Sequence, residues 1–513
     1  MRRLFTALLI LTLAGGGLAL AQAPGRGSGG SQQGGQQQGP RREGGAGGPT
    51  GASELPALPP PAVTHHVLQL PDRTLHFTAT AGTIRLFDAD SGAPQADIAT
   101  LTFALDGADA RTRPVTFVFN GGPGYASSWL DLGGLGPWRL PMSGEADRPS
   151  AAPVTFDNAD TWLDFTDLVF IDPAGTGYSR ILGGDDMRRS LYSVDGDIQS
   201  LAVTIRRWVE ANNRMESPKF IAGESYGGFR APKIARKLQD DQGIGVAGIV
   251  MISPVLDFNR FNAAASPLGL VARLPSYVAV ARQAKGPITR ADLADVEQYA
   301  QGDFLADVLK GVNDQAAVAR LSVKVAALTG LDPAFVARFR GRVPVNAFLR
   351  EIDRAAGRVL SQYDGSVSGI DPAPLAAFSN FDDQLRVGLH APISEAMVDL
   401  YHTKLDWNVE NGRYLFFNEQ AGRQWDYGHG AADATVDLEH DLALDPKFGV
   451  LIVHGLTDLV TSYFGTKMEL DQLPVPTDGR VELEVLPGGH MVYLNDGSRK
   501  VLREDARALI EGR

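Results

Sequence analysis

One serine in the chain lies in a setting typical of a catalytic nucleophile. It is Ser225 in the stretch GESYGG, residues 223–228. The residues KFIA just before this stretch predict a short strand, and GFRAPKIARKLQD predicts a helix with one apolar face. A glycine-flanked serine at a strand-to-helix turn matches the nucleophile elbow G-x-S-x-G. The motif also fits an ordinary Gly-Ser turn, so the rest of the chain must distinguish the two interpretations.

A serine nucleophile needs a base, and the base needs a group that orients it. In α/β-hydrolases an acid and then a histidine follow the serine, each in a loop after a strand. The predicted strand at 447–455 leads to Asp458, and the predicted strand at 480–487 leads to His490. Among the 9 histidines, His490 alone has this order and this context. We therefore predict a triad of Ser225, Asp458 and His490, with a plain loop histidine in a Gly-rich turn as the alternative for His490.

A third motif supplies candidates for an oxyanion hole. The apolar run PVTFVF, residues 114–119, leads directly into NGGPG, residues 120–124. Glycines at such a position let backbone N–H groups approach a developing oxyanion, and loss of one donor typically costs on the order of a hundredfold in rate. We assign this role to the N–H groups of Gly122 and Tyr226, with a plain Gly-Pro turn as the alternative.

The elements that must position these groups follow an α/β pattern. A β-like stretch at 64–105 is followed by short, almost wholly apolar runs that are typical of buried parallel strands. These runs lie at 114–119, 166–172, 246–253 and 447–455, and helical stretches such as 195–213 separate them. Strands that alternate with helices predict an α/β fold, and the order of the motifs indicates an α/β-hydrolase fold with a mostly parallel central sheet.

One region interrupts this alternation. From 258 to 425 amphipathic helical segments dominate and strand patterns are rare. Because the strand pattern resumes at 447–455, we predict a helical cap inserted between two parts of the core, 54–257 and 426–513. A separate domain is the alternative.

The first 53 residues are predicted to lie outside the fold. Residues 1–21 combine a basic start, an apolar run and Ala19-Leu20-Ala21, which is typical of a secretory signal peptide. A membrane anchor is disfavoured because the apolar run is short and interrupted by glycines. Residues 22–53 are rich in Gly and Gln and predict a disordered linker. We therefore expect an exported protein, periplasmic or extracellular, with no stable membrane span after signal cleavage.

Composition narrows the range of functions. The chain has 513 residues, of which 44% are hydrophobic, which is ample for a large core. A net charge of -12 without a basic cluster argues against nucleic-acid binding. The absence of Cys excludes disulfides and thiolate metal sites. The stretch AGTG at 174–177 lacks the third glycine of a dinucleotide loop, and the His and Asp residues show no metal-site spacing. We therefore expect neither cofactor nor metal.

Together the motifs resemble those of the serine carboxypeptidase family. The stretches NGGPG, GESYGG, GLTDLVT and GGHMVY occur in one order within the part of the chain that begins near residue 64. Members of the family are secreted α/β-hydrolases with a helical cap. The resemblance implies a serine-type carboxypeptidase that removes C-terminal residues from peptides and proteins through an acyl-enzyme on Ser225. It is identified as a bacterial-type member, since the disulfides usual in eukaryotic members cannot form.

The resemblance also implies a set of substrate-binding residues. In the family, the asparagine of NGGPG and the glutamate before the nucleophile bind the C-terminal carboxylate of the substrate. An ionised glutamate would repel that carboxylate, whereas a neutral one can donate a hydrogen bond to it, so we expect binding to be favoured at acidic pH. A methionine after the histidine often lines the pocket for the leaving residue. The implied substrate-binding residues are Asn120, Gly121, Glu224 and Met491.

Three positions depart from the family pattern. Val118 stands where a tryptophan is common, Tyr125 where a cysteine is common, and Gly134 where many relatives carry a glutamate. These changes leave the triad intact and bear on substrate preference. An esterase or acyltransferase with the same triad is therefore the alternative function. A non-enzymatic binding protein with this fold is disfavoured because the triad is complete.

Overall fold

The computed structural model describes residues 57–142, 148–261, 266–375, 381–410, 412–428, 432–475, 477 and 479–512. The predicted signal peptide and the predicted Gly/Gln-rich linker lie outside these residues. None of the helices in these ranges has the length and apolar character that crossing a membrane requires.

The strands lie close to the positions that the apolar runs predict. Their bounds are β1 (Ala62–Gln69), β2 (Thr74–Phe87), β3 (Pro94–Leu105), β4 (Val115–Phe119), β5 (Trp138–Arg139), β6 (Phe156–Asp157), β7 (Asp167–Ile171), β8 (Arg180–Ile181), β9 (Lys219–Glu224), β10 (Gly248–Ile252), β11 (Arg358–Leu360), β12 (Ser368–Ile370), β13 (Gly449–Gly455) and β14 (Val481–Leu486).

The first helices lie between residues 128 and 261. Two of them flank β9, the strand that leads to Ser225. Their bounds are α1 (Ser128–Leu130), α2 (Asp185–Leu191), α3 (Val194–Ala211), α4 (Tyr226–Lys237) and α5 (Phe258–Phe261). The later helices are α6 (Pro267–Gln283), α7 (Ala294–Tyr299), α8 (Leu305–Leu309), α9 (Gln315–Thr329), α10 (Pro333–Arg338), α11 (Val345–Glu351), α12 (Gln384–Thr403), α13 (Glu419–Gln424), α14 (Thr435–Leu444), α15 (Tyr463–Leu470) and α16 (Asp496–Glu511).

A central sheet runs through the described residues in the order β1-β2-β3-β7-β4-β9-β10-β13-β14, with β8 paired to β3. The first three strands and the β3–β7 pair are antiparallel, whereas every pair from β7 to β14 is parallel. The structure thus confirms the predicted α/β fold with a mostly parallel sheet, and the topology is that of an α/β-hydrolase. The loops after β4, β9, β13 and β14 leave the carboxyl ends of parallel strands, where such sheets place their sites.

The sheet is buried on both faces, which explains why its parallel strands read as continuous apolar runs. Side chains alternate along each strand, so Val118 and Ala222 face one core cluster while Phe117 and Ile221 face the other. Helices α3 and α4 cover the second face with apolar side chains such as Ile205. Every residue of β9, the strand that leads to the nucleophile, is therefore buried.

The helical region between β10 and β13 packs in two ways. Helices α6 to α11 share a cluster of their own with α15 and the loop after β13, through residues such as Val278, Val325 and Tyr463. Helix α12 instead packs Leu389 and Ile393 into the cluster on one face of the sheet. The boundaries 258–425 for a cap stay a prediction.

Candidate active site

The nucleophile elbow forms where strand β9 ends and helix α4 begins. Ser225 occupies the single position between them and has φ 60 and ψ -118, a backbone conformation that L-residues rarely adopt. Its N–H donates to Ile252 O at 2.9 Å, which joins the turn to the neighbouring strand β10. This conformation turns the serine side chain out of the sheet, and Ser225 lines a cavity of about 440 Å³.

The loop after β4 lies directly against the elbow. A Cβ on Gly121 would lie 2.5 Å from Tyr226 N, so a side chain at this position would collide with the turn. Gly122 has φ 110, in the region that favours glycine. Tyr226 is the first residue of α4, so its N–H has no partner inside the helix. The two N–H groups assigned to the oxyanion hole therefore come from the loop after β4 and from the first residue of α4, which lie against each other.

Asp458 and His490 come together although 32 residues separate them. The His490 Nδ1–H donates to Asp458 Oδ2 at 2.9 Å, and both side chains are almost wholly buried. The other carboxylate oxygen of Asp458 accepts the N–H groups of Val460 at 2.8 Å and Thr461 at 3.0 Å. With Nδ1 engaged by the acid, Nε2 is the nitrogen of His490 that remains available to Ser225, which lines the same cavity.

The electrostatics of this pair favour a charged aspartate beside a basic histidine. Burial by itself raises the pKa of Asp458, but His490 and the surrounding hydrogen bonds outweigh it, so the pKa lies below its usual value. Burial likewise lowers the pKa of His490, and the Asp458 carboxylate more than offsets this, so the pKa lies above its usual value. An ionised, fixed carboxylate that raises the basicity of a histidine is what a general base requires.

Glu224, the residue before the nucleophile, is a buried carboxyl group at the edge of the same cavity. Burial raises its pKa to about 7, although the nearby His490 and a hydrogen bond from Tyr493 act in the opposite direction. The Tyr493 hydroxyl donates to Glu224 Oε2. At mildly acidic pH the carboxyl is therefore neutral, and the hydrogen bond from Tyr493 leaves Oε1 as the oxygen free to carry the proton.

Asn120 presents an amide next to this carboxyl. Its Oδ1 accepts the Leu130 N–H at 3.0 Å, which fixes the orientation of the amide. Its Nδ2 is buried without a partner at hydrogen-bonding geometry among the described residues, yet it lies close enough to Glu224 to help lower that pKa. The backbone is held by the buried Arg230, whose Nη1 donates to Asn120 O at 2.5 Å while pairing with Asp197. Asn120 thus offers an unused donor on a rigid support.

The cavity gathers the residues that the sequence singles out. Tyr226 contributes its N–H at the elbow, and Asp458 lies behind His490 rather than on the surface of the cavity. The other predicted site residues all line it, namely Asn120, Gly121, Gly122, Glu224, Ser225, His490 and Met491. Another histidine, His454 in β13, does not line the cavity. It is buried, its pKa is lowered to about 4 by burial, and its Nε2 lies 2.9 Å from Thr466 Oγ1.

Several residues of the site carried no signal in the sequence. Thr461 Oγ1 donates to Asp458 Oδ2 at 2.8 Å and lies 3.1 Å from His490 Nδ1. The ring of Tyr363 packs edge-on against His490 with 5.5 Å between centroids. Tyr493 and Arg386 also belong to the site. Of these residues only Thr461 could have been suspected from the sequence, because it is a polar residue close to Asp458 in the chain.

The three departures from the family pattern have distinct places. Val118 is buried in the core. Tyr125 lines the cavity and stacks on Phe417 with 4.4 Å between centroids. Gly134 leaves room for the ring of Tyr493, because a Cβ on this glycine would lie 3.2 Å from Tyr493 Cβ. The tyrosine that donates to Glu224 therefore packs against the position where many relatives carry an acid.

Within the described ranges, no group of three or more acidic or histidine side chains is arranged to hold a metal ion. The donor set of the cavity is that of acyl transfer: a hydroxyl, an imidazole and backbone N–H groups.

Part of the chain is similar to a known family of proteins. The family model described as serine carboxypeptidase matches residues 103–273, which include NGGPG and GESYGG. Over these residues the chain is similar to the serine carboxypeptidase family. It is similar to a pheromone-processing carboxypeptidase of Yarrowia lipolytica, with 24% identity over 70% of this chain and 52% of the relative. It is also similar to one of Aspergillus fumigatus, with 30% identity over 32% of this chain and 26% of the relative.

The matched region thus spans about half or less of the length of these curated relatives. Both are fungal proteins, so they give no support to the expectation of a bacterial-type member. Among solved structures, the chain is similar to a proline iminopeptidase of Mycobacterium smegmatis, with 14% identity, a TM-score of 0.36, and 84% of this chain and 99% of that chain covered. It is also similar to an esterase of Thermogutta terrifontis, with 11% identity, a TM-score of 0.34, and coverage of 83% and 98%.

Proposed function

We propose that the protein is a serine-type carboxypeptidase that removes C-terminal residues from peptides through an acyl-enzyme on Ser225. The observation that carries this proposal is the position of Asn120 and Glu224. Both line the cavity that contains Ser225 and His490. A free C-terminal carboxylate bound by these two residues places the last peptide bond of a substrate at the nucleophile.

The proposed reaction uses groups whose roles follow from their contacts. His490 Nε2 takes the proton of Ser225 Oγ as that oxygen attacks the scissile carbonyl carbon. The negative charge that develops on the carbonyl oxygen accepts hydrogen bonds from the N–H groups of Gly122 and Tyr226. His490 then gives the proton to the leaving amine, and the C-terminal residue departs. Water then attacks the acyl-enzyme. His490 takes a proton from this water and gives it to Ser225 Oγ as the acid product leaves.

The proposal is tested with a blocked dipeptide, N-acyl-Phe-Leu, and its C-terminal amide. We expect fast cleavage of the free acid and little cleavage of the amide, because the amide lacks the carboxylate that Asn120 and Glu224 bind. Loss of cleavage in Ser225→Ala assigns the activity to the elbow. If neither peptide is cleaved while p-nitrophenyl ester hydrolysis still depends on Ser225, the protein is an esterase or acyltransferase instead.

A pH dependence follows from the raised pKa of Glu224. We expect KM for the free acid to rise with pH above about 7, by up to about tenfold per pH unit, because ionised Glu224 no longer donates and repels the substrate carboxylate. Glu224→Gln replaces the titrating group with an amide donor, so its KM should be nearly independent of pH. Initial rates measured from about pH 5 to about pH 8.5 provide both profiles.

The catalytic rate is expected to respond to pH in the opposite sense. Protonation of His490 removes the general base, so kcat falls toward acidic pH in both the wild type and Glu224→Gln. If Glu224→Gln removes the pH dependence of KM but not that of kcat, Glu224 acts in substrate binding. A wild-type KM that does not change with pH contradicts the proposed role of Glu224.

A further inference from the structure

One cation in the cavity has no role in the reaction described above. Arg386 lies in the first turn of α12 and lines the cavity with a side chain that is 28% exposed. Its backbone N–H donates at 3.3 Å to Asp383, the N-cap residue of the helix. Asp383 is buried and also accepts the Ser361 hydroxyl at 2.8 Å and the Gln362 N–H at 2.8 Å. The start of α12, and with it Arg386, is therefore anchored to the loop that carries Tyr363.

Arg386 and Glu224 line the same cavity, together with Tyr125 and Tyr363. Each of these two tyrosines is near enough to both Arg386 and Glu224 to interact with them electrostatically. The guanidinium carbon of Arg386 lies 6.0 Å from the centroid of Phe417, the ring on which Tyr125 stacks. The cation thus lies beside aromatic side chains that line the cavity with Glu224. We expect the side chain of a C-terminal residue held by Asn120 and Glu224 to reach this region.

The charge of Arg386 is matched by one exposed carboxylate and by the hydroxyl of Tyr125, which hydrogen-bonds to its side chain. Among the described residues its ion-pair partner is Asp382, whose side chain is 85% exposed and whose carboxylate lies 3.9 Å away. An exposed pair at that distance contributes little and is screened by salt. The other arginine of the cavity, Arg423, pairs with Glu419 at the rim, where both side chains are more than half exposed. Arg386 is the less exposed of these two arginines, so water and salt screen its attraction for a ligand carboxylate less.

We propose that Arg386 gives this site a preference for substrates whose C-terminal residue has an acidic side chain, aspartate or glutamate. The proposal rests on the proposed carboxypeptidase function. Arginine presents a planar, permanently charged fork that binds a carboxylate through two hydrogen bonds. Asn120 and Glu224 hold the main-chain carboxylate, and Arg386 holds the second carboxylate of the same residue.

The test compares N-acyl-Phe-Glu with N-acyl-Phe-Gln, which has nearly the same shape but no charge. For the wild type we expect kcat/KM to be about tenfold or more higher for the Glu peptide, the size expected of a charge-assisted hydrogen bond. Arg386→Gln should remove this preference, and its effect on cleavage of N-acyl-Phe-Leu should be much smaller than its effect on cleavage of the Glu peptide. Arg423→Gln is the matched control, since it removes a cavity arginine that already has a partner, and it should keep the preference.

The outcomes separate this proposal from the proposed function. Cleavage of all three peptides with equal kcat/KM for Glu and Gln overturns the role of Arg386 and leaves the carboxypeptidase intact. If Arg386→Gln slows all free acids equally, the arginine binds the main-chain carboxylate, and the specificity proposal is wrong. If the wild type cleaves none of the peptides, the proposed function itself has failed.

Discussion

Removal of the Ser225 hydroxyl is expected to lower kcat by between about 10⁴- and 10⁶-fold, since no other group in the cavity replaces the nucleophile. The backbone at this residue makes a second result possible. Ser225 has φ 60 and ψ -118, and a residue held in so unfavourable a conformation costs about 1–3 kcal/mol. Alanine keeps the Cβ that causes this cost, whereas glycine removes it. We therefore expect Ser225→Ala and Ser225→Gly to be equally inactive but to differ in stability.

Glycine has an opposing cost, because it increases the conformational freedom of the unfolded chain by roughly 0.5–1 kcal/mol. The expected balance is a free energy of unfolding about 0.5–2 kcal/mol higher for Ser225→Gly than for Ser225→Ala. Urea denaturation of the two variants measures this difference while their activities stay equally low. A glycine variant that is less stable than the alanine variant by roughly 0.5–1 kcal/mol, the cost of glycine alone, would show that the elbow is unstrained. A kcat for peptide cleavage close to that of the wild type in either variant would show that another residue is the nucleophile.

The elbow and the triad could be predicted because their signals are local. Ser225 stands between a strand pattern and a helix pattern, and the structure has β9 ending at Glu224 and α4 starting at Tyr226. Asp458 and His490 each follow an apolar run that forms a parallel strand, β13 or β14. A parallel sheet brings the loops after such strands to one edge, so chain order alone placed these residues together.

The rest of the site depends on contacts between distant parts of the chain. Tyr493 lies 269 residues after Glu224, and nothing in either segment indicates the hydrogen bond between them. Arg386 belongs to a region that the sequence describes as amphipathic helix, without indicating which helix faces the nucleophile. Helix α12 packs onto the cluster at the face of the sheet, unlike α6 to α11, and this choice of partner decides that Arg386 reaches the cavity. Periodicity gives the apolar side of a helix but not the surface that covers it.

Asp458 provides the second large expected effect, which follows from how its two oxygens are used. The backbone N–H groups of Val460 and Thr461 both donate to Oδ1. Oδ2 receives the His490 Nδ1–H and the Thr461 hydroxyl. An asparagine at this position must keep its oxygen toward the two backbone donors. Its NH2 group then faces His490 Nδ1, and two donors oppose each other. The imidazole relieves this conflict when Nδ1 becomes the acceptor and the proton moves to Nε2.

In that tautomer Nε2 can no longer take the proton of Ser225, so we expect Asp458→Asn to lower kcat by about 10⁴-fold with little change in KM. Asp364→Asn is the matched control. This carboxylate is half-buried and accepts the Thr457 hydroxyl at 2.7 Å, but it makes no hydrogen bond to His490 among the described residues. Its kcat should stay within a few fold of the wild type. Steady-state kinetics with circular dichroism to verify folding compares the two variants. A kcat for Asp458→Asn close to that of Asp364→Asn would mean that Asp458 does not set the tautomer of His490, and the triad assignment would fail at its acid.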